Sequence, residues 1–280
     1  MGTWLSTLAR LLGTALGAFA GIVAVQFMRL RRMEFLPGHP GFYVNHVVVP
    51  SSGEAGRDRL RMVVLGDSTT AGVGVERAED ALPYLIARRV AEAERREVHV
   101  VSYGWAGARA ADLVRHQLPR SIEPLRATET DSFLAGADVV AIVIGSNDAT
   151  HTTPPARFRD SLRAILEGIR ETAPLARVVL AGIPAFRGAL RHVEPLILLA
   201  DQYARLLRPI SRAEAERAGA AYADLARDVP PLIRGRTDVL SEDQFHPSVV
   251  GYSAWADVIA EALLSAPGET ATARLEPART

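Results

Sequence analysis

The chain alternates short runs of β-branched and other apolar residues with longer segments of helical periodicity, and this alternation constrains the fold more than any other feature. Four runs have the length and composition of buried strands and a weaker fifth follows them: Met62–Gly66, Val98–Tyr103, Asp138–Gly145, Ala176–Pro184 and Ala220–Leu225. Five segments have helix-length apolar periodicity: Ala78–Arg95, Ala110–Gln117, Ala156–Thr172, Glu194–Ala218 and Pro247–Leu264. A βαβα order of this kind predicts an α/β domain with a mainly parallel, five-stranded sheet that helices cover on both faces. Ligands of such sheets bind beyond the C-terminal ends of the strands, so we expect the functional residues there.

The N-terminal region contains an apolar segment that predicts a membrane anchor. Leu11–Met28 carries no charged residue. A helix of this length is about long enough to cross a hydrocarbon core of roughly 30 Å. We therefore predict an uncleaved anchor within residues 1–33. A cleaved signal peptide is the alternative, because the small residues Ala18 and Ala20 resemble a cleavage site.

The charges that flank this segment bear on the orientation of the anchor. Three arginines lie in Arg29–Arg32, directly after the apolar segment, whereas Arg10 is the one arginine before it. The positive-inside rule then favours a single-pass protein whose catalytic domain is cytoplasmic. Export of the domain is the alternative.

The rest of the chain divides into three parts. Residues 34–61 are rich in Pro, Gly and Ser, which predicts a linker, and the apolar residues Val47–Val49 suggest one edge strand within it. Residues 62–265 hold the predicted catalytic domain. Residues 266–280 are rich in Ala, Thr, Glu and Pro, and we predict a disordered tail.

Composition excludes several kinds of chemistry. The chain has no Cys, which excludes disulfides, Cys-ligated zinc and a Cys nucleophile. All 32 basic residues are Arg, because the sequence contains no Lys, and this excludes Schiff-base and P-loop mechanisms. The formal net charge is +0. Since phosphate binding needs clustered excess positive charge, we expect no nucleic-acid partner.

Two short motifs together indicate a serine hydrolase. Ser68 lies in Gly66–Gly72, where the first predicted strand turns toward a helix, although a Gly-Asp-Ser sequence is also an ordinary turn or helix cap. Near the C-terminus, Asp243 precedes His246 by three residues. A carboxylate at this spacing can accept a hydrogen bond from Nδ1–H of the imidazole, which leaves Nε2 free to act as a base. The order Ser, Asp, His therefore predicts a catalytic triad.

Two further loops follow predicted strands and could supply hydrogen-bond donors. Gly104 follows the second strand, and its N–H could face a developing oxyanion. Asn147 follows the third strand and carries a neutral side-chain donor. Each loop taken alone is equally compatible with an ordinary turn. We expect the following segment, Ala149–Phe158, to line the substrate cleft, because loops at strand ends reach the nucleophile.

The four blocks, taken together and in this order, resemble the SGNH/GDSL hydrolases. The conserved blocks of that family are centred on Ser, Gly, Asn and His, and the matching positions here are Ser68, Gly104, Asn147 and His246. The similarity extends over about Met62–Leu264.

The resemblance implies a flavodoxin-like three-layer α/β/α sandwich and a serine esterase mechanism. It implies that Ser68 is the nucleophile, that His246 is general base and then general acid, and that Asp243 orients the imidazole. It also implies an oxyanion hole formed by the N–H of Ser68, the N–H of Gly104 and the side chain of Asn147. No metal and no organic cofactor is implied.

These observations predict hydrolysis of a carboxylic ester, from a lipid or from another small-molecule acyl ester. Deacetylation of, or acyl transfer to, a cell-envelope polysaccharide is one alternative, and a catalytically idle, membrane-tethered binding module is another. The apolar segment Pro195–Leu199 would suit a lipid substrate, but such a run is more typical of the buried face of a helix. The sequence does not indicate an oligomeric state.

Overall fold

One six-stranded sheet forms the centre of the molecule in the computed structural model, which describes residues 2–32, 36, 38, 41–52, 58–125, 132–186, 189 and 194–265. The residues predicted as a disordered tail lie outside this part of the chain. The strands are β1 (Asn45–Val48), β2 (Leu60–Gly66), β3 (Val98–Ser102), β4 (Val139–Val143), β5 (Arg177–Ala181) and β6 (Ala221–Ala223). Their order in the sheet is β1-β3-β2-β4-β5-β6.

The pairing of the strands confirms the predicted α/β class. Strands β2 to β6 are all parallel to one another, and β2 lies between β3 and β4. The remaining strand, β1, lies at the edge of the sheet and is antiparallel to β3, with Asn45 opposite Val101 and Val48 opposite Val98. This edge strand lies in the segment that we predicted as a linker, and the buried side chains of Val44 and Val48 tie it to the core.

One helix, α1 (Gly2–Arg32), precedes the strands, and the other described helices follow strands β2 to β6 and cover the sheet. These are α2 (Ser68–Ala71), α3 (Leu82–Glu94), α4 (Ala110–Asp112), α5 (Leu118–Ile122), α6 (Ser146–Thr150), α7 (Pro155–Thr172), α8 (Leu196–Arg217), α9 (Leu225–Leu232) and α10 (Val249–Ser265). A 3₁₀ turn, Ala78–Asp80, precedes α3, and a π-helical turn, Leu113–Gln117, joins α4 to α5.

Two hydrophobic cores fill the space between the sheet and the helices. Alternate residues of β2 point to opposite faces, so that Val63 belongs to one core and Met62 to the other. Helices α7 and α8 contribute to the first core, and α3, α9 and α10 contribute to the second. The sheet is therefore buried on both faces, which explains why β2 and β4 read as continuous apolar runs. The result is the predicted three-layer sandwich.

The N-terminal helix α1 is long and apolar enough to cross a membrane. Its segment Trp4–Gln26 has a mean hydropathy of 1.9 and is not buried against the rest of the protein. A signal sequence at this place would have the same properties.

Candidate active site

The turn that follows β2 places Ser68 at the C-terminal edge of the sheet. Asp67 caps the short helix α2, because its Oδ1 accepts hydrogen bonds from the N–H of Thr69 at 3.0 Å and from Thr69 Oγ1 at 2.8 Å. Ser68 is the first residue of α2, and its side chain is buried apart from a small exposed fraction. The cap fixes the direction in which the helix leaves the strand, and hence the position of Ser68.

A buried glutamine holds the end of β2 in place. Gln117, from the π-helical turn, accepts a hydrogen bond from the N–H of Gly66 at 2.9 Å and donates one to the carbonyl of Gly66 at 2.7 Å. Only 2% of Gln117 is exposed. Sequence reasoning missed this residue, because a single Gln within a predicted helix carries no signal that links it to a strand about fifty residues away.

The loop before α10 brings His246 and Asp243 to Ser68. His246 Nε2 lies 2.9 Å from Ser68 Oγ, and His246 Nδ1 lies 2.6 Å from Asp243 Oδ2. The other carboxylate oxygen of Asp243 accepts hydrogen bonds from the N–H groups of Phe245 and His246, both at 2.9 Å, and from Ser241 Oγ at 3.0 Å. The structure therefore joins Asp243, His246 and Ser68 in one hydrogen-bonded chain, as the sequence spacing predicted.

The electrostatics of this chain keep the carboxylate charged. Burial alone would raise the pKa of Asp243, but the hydrogen bonds from the imidazole and the two backbone N–H groups outweigh it and hold that pKa well below its usual value. An ionised Asp243 favours the tautomer in which Nδ1 of His246 carries the proton. In that tautomer, Nε2 accepts a hydrogen bond from the hydroxyl group of Ser68.

Two other carboxyl groups nearby, those of Asp67 and Asp148, have a raised pKa. Burial raises the pKa of Asp67, although its hydrogen bonds with Thr69 lower it in part. Burial also raises the pKa of Asp148, whose Oδ2 accepts a hydrogen bond from the N–H of Ala110 at 2.9 Å. These two groups hold α2 and α4 in place, and neither contacts Ser68 Oγ.

Two residues with further hydrogen-bond donors line the same cavity. Asn147, in α6, lines the same cavity as Ser68, and its side-chain amide donates to the carbonyl of Ala108 at 3.0 Å. The N–H of Ser68 has no hydrogen-bond partner within the described part of the chain. The structure thus brings together four of the five predicted site residues: Ser68, Asn147, Asp243 and His246.

Gly104 is the exception. The N–H of Gly104 lies 3.3 Å from Ser102 Oγ. Together with Trp105, Gly104 lines a small cavity that is separate from the one lined by Ser68. A Cβ at this position would lie 1.9 Å from Thr70 Oγ1. The chain that leaves β3 therefore packs directly against α2 at Gly104, and Gly104 is not among the residues that line the cavity containing Ser68. In this structure, Gly104 packs against Thr70 and Ala71, in the turn that carries Ser68.

A cavity of about 920 Å³ lies in front of Ser68 and His246. We expected the segment Ala149–Phe158 to line this cavity, but it does not. The walls of the cavity come instead from Pro184–Phe186, from α8 and α9, and from the loop that leads to His246. Helix α9 was not predicted, because it contains two consecutive prolines, and proline in a helical pattern normally indicates a break.

Comparison with known proteins shows the family to which the chain belongs. The model of the GDSL-like lipase/acylhydrolase family matches residues 64–275. A GDSL-like esterase of Mycobacterium tuberculosis is 26% identical over 238 residues, which cover 79% of this chain and 71% of the relative.

Solved structures share the fold. A lipase/acylhydrolase from Enterococcus faecalis has a TM-score of 0.56 and 22% identity, with 79% of this chain and 100% of that chain covered. A phospholipase A1 from Streptomyces albidoflavus has a TM-score of 0.52 and 23% identity, with 72% and 98% covered. Because the family model spans most of the chain and the order of its elements fits the family, the chain belongs to the GDSL-like lipase/acylhydrolase family of serine ester hydrolases.

Proposed function

We propose that Ser68, His246 and Asp243 are the catalytic triad of this esterase. The observation that carries the proposal is the hydrogen-bonded chain from Asp243 through both ring nitrogens of His246 to Ser68 Oγ. In the first half-reaction, Ser68 Oγ attacks the carbonyl carbon of the ester while Nε2 of His246 accepts the hydroxyl proton. The tetrahedral intermediate collapses, the imidazolium gives its proton to the departing alcohol, and an acyl-enzyme remains.

The second half-reaction uses the same residues. A water molecule gives a proton to Nε2 of His246 and attacks the acyl carbon. The new intermediate then expels Ser68 Oγ, which regains the proton, and the carboxylic acid leaves. Asp243 keeps the imidazole oriented and stabilises its positive charge, because its low pKa maintains the carboxylate.

We assign the stabilisation of the oxyanion to the N–H of Ser68 and the side chain of Asn147. Both lie at the cavity, whereas the backbone of Gly104 faces Ser102 Oγ. In serine hydrolases, loss of one such donor costs about 10²–10³-fold in kcat. We therefore expect Asn147→Ala to lose activity on this scale without losing the ability to bind substrate.

The substrate that we propose is a carboxylic ester of a lipid or of another apolar acyl group. The cavity has an apolar wall that includes Leu225, Val229 and Trp255, which suits an acyl chain. Helix α1 supports the same interpretation, because we propose that it tethers the domain to a membrane, where acyl lipids are available.

Labelling with a fluorophosphonate probe tests the triad. We expect the wild-type protein to react with the probe at Ser68, and we expect Ser68→Ala to remain unlabelled. Ser146 lines the same cavity, so Ser146→Ala is a matched control and should still be labelled. Labelling of a folded Ser68→Ala variant would contradict the assignment.

A further inference from the structure

We propose that the α8 side of the cavity binds an anionic group and that Arg205 is the residue that recognises it. The preferred substrate would then be an acyl ester whose alcohol portion carries a negative charge, such as a phosphate. This inference rests on the proposed function, since it assumes that the ester reacts with Ser68.

The α8 side of the cavity has an excess of positive charge. The buried carboxylate of Asp201 pairs with two guanidinium groups, Arg208 at 2.9 Å and Arg205 at 3.4 Å. Burial alone would raise the pKa of Asp201, but the bonds from Arg208 and from the N–H of Phe186 lower it, so this carboxylate is ionised. One negative charge faces two positive charges, and the group therefore has a net charge of about +1.

The two arginines differ in how much of their hydrogen-bonding capacity is used. Arg208 donates to the carbonyls of Ile183 and Pro184 as well as to Asp201, and 16% of its side chain is exposed. It serves to hold the end of β5. The Nε of Arg205 lies 3.4 Å from Asp201 Oδ2, and 48% of the Arg205 side chain is exposed. Among the described residues its two terminal nitrogens make no hydrogen bond, which leaves them available for a bidentate bond to a phosphate or carboxylate.

A third arginine on the cavity wall does not have this capacity. Arg236 forms a bidentate ion pair with Asp238, with distances of 2.9 Å and 2.6 Å. Its charge is neutralised at short range, so it offers less to an incoming anion. The positive charge of the cavity is therefore concentrated at Arg205.

The opposite side of the cavity is apolar. Helix α8 packs on one face of the sheet, whereas Val229 of α9 and Trp255 of α10 belong to the core on the other face. Since the cavity is lined from both sides, it crosses the edge of the sheet with Ser68 and His246 between a cationic wall and an apolar wall. An ester bound at Ser68 would place its acyl chain on the apolar side and its charged alcohol portion near Arg205.

Two matched substrate pairs test the proposal in the full-length protein. Each pair consists of a monoacylglycerol and the same monoacylglycerol with a 3-phosphate, one pair with a butanoyl chain and one with a decanoyl chain. We expect the wild type to have a higher kcat/KM for the phosphate-bearing member. A preference in the butanoyl pair identifies recognition of a soluble anionic ester, and a preference confined to the decanoyl pair identifies a lipid headgroup; either supports the subsite.

The variant Arg205→Gln tests whether Arg205 causes the preference for the phosphate-bearing substrate. We expect it to reduce the phosphate preference about tenfold, mainly through KM, because a partly exposed charge-assisted bond is lost. Arg205→Lys keeps the charge and should retain part of the preference. Arg217→Gln is the matched control, because Arg217 also lies on α8 and pairs with Glu214 but does not line the cavity. It should keep the wild-type ratio.

Several outcomes would overturn the proposal. No phosphate preference in either pair would do so, as would a preference that a folded Arg205→Gln variant retains. If that variant does not fold, inhibition of the wild type decides: glycerol 3-phosphate should compete with the neutral ester better than glycerol does, and equal or absent inhibition would refute the subsite. Failure of the triad itself would appear separately, as hydrolysis of the neutral ester by Ser68→Ala.

Discussion

Replacing Gln117 by Leu should destabilise the domain and displace the nucleophile turn. The side chain of Gln117 makes two hydrogen bonds to the backbone of Gly66, at 2.9 Å and 2.7 Å, two residues before Ser68. Leucine has a similar volume but cannot make either bond. The substitution therefore leaves the N–H of Gly66 unpaired in a buried position.

The magnitude follows from which groups lose their partners. A buried, unsatisfied backbone N–H costs about 1–3 kcal/mol in the free energy of unfolding. The carbonyl of Gly66 loses less, because it keeps a bond from the N–H of Trp105 at 3.4 Å. We expect a total loss of roughly 2–4 kcal/mol. For a domain of this size that corresponds to a decrease in Tm of roughly 4–16 °C.

Thermal unfolding followed by circular dichroism, together with kcat on a neutral ester, measures both effects. Gln202→Leu is the control, because Gln202 is exposed on α8, and a surface change of this kind alters stability by about 0.5 kcal/mol or less. A Gln117→Leu variant that melts within about 2 °C of the wild type would refute the reasoning. An unchanged kcat would also refute it, because the turn would then hold Ser68 in place without the two hydrogen bonds from Gln117.

A charged variant gives a second, independent signature. In Gln117→Glu, one oxygen still accepts from Gly66, but the other faces the carbonyl of Gly66. Burial and this repulsion raise the pKa of the new carboxyl in the folded state above its unfolded value of about 4.3. When the pKa of a carboxyl group is raised on folding, the free energy of unfolding of the protein decreases as the pH rises. The variant should therefore be closest to the wild type below about pH 4 and fall further behind at neutral pH.

Four further predictions concern the triad, the glycine behind it and the N-terminal helix. Ser68→Ala and His246→Ala should each lower kcat by about 10⁶-fold and Asp243→Ala by about 10⁴-fold, as in a comparable hydrolase; wild-type rates in folded Asp243→Ala across about pH 6–9 would contradict its role. Because the pKa of Asp243 is lowered on folding, the wild type should be more stable than Asp243→Asn by a constant amount above about pH 5, and urea titrations should show this advantage shrinking as the pH falls. Gly104→Ala should lower the free energy of unfolding by about 1–3 kcal/mol, because its Cβ would overlap Thr70; an unchanged Tm would contradict the close packing. A protein that lacks residues 1–33 should remain soluble and hydrolyse esters, whereas the full chain should sediment with membranes; loss of folding would show that α1 belongs to the domain.

The sequence predicted the central sheet because its strands are buried on both faces. Strands β2 to β5 consist mainly of buried apolar residues, and the longer helices between them show periodicity. The short helices α2 and α6 were not predicted, since a helix of about one turn has no period to detect. The sequence suggested an edge strand at Val47–Val49, whereas β1 is Asn45–Val48; its bounds are hard to predict because an edge strand alternates between exposed and buried residues and lies among turn residues.

The site was predictable where the chemistry depends on local spacing and not where it depends on the path of a loop. Asp243 and His246 are three residues apart, so one turn of chain brings their side chains together. The position of Gly104 depends instead on how the chain leaves β3, which no local pattern specifies. Pro195–Leu199 shows the same limit: Ile197 is buried, as expected, whereas Leu198 and Leu199 are 45% and 43% exposed.

Close backbone packing on two sides of α2 explains how residues so far apart in the sequence meet. Gly104 contacts α2 from behind, and Gly74, with φ near +101°, lies where a Cβ would be 2.6 Å from the carbonyl of Pro247 and 3.3 Å from His246 Cβ. The 2.9 Å contact between Ser68 and His246 joins residues 178 positions apart in the sequence, and near each of them the backbone packs too closely for a Cβ, at Gly104 and at Gly74. A side chain added at either place pushes a backbone segment away, and a shift of about 1 Å in such a contact can cost about 10²-fold in rate. We therefore expect replacement of either glycine by alanine to lower kcat, because the added Cβ would move the backbone near Ser68 or near His246.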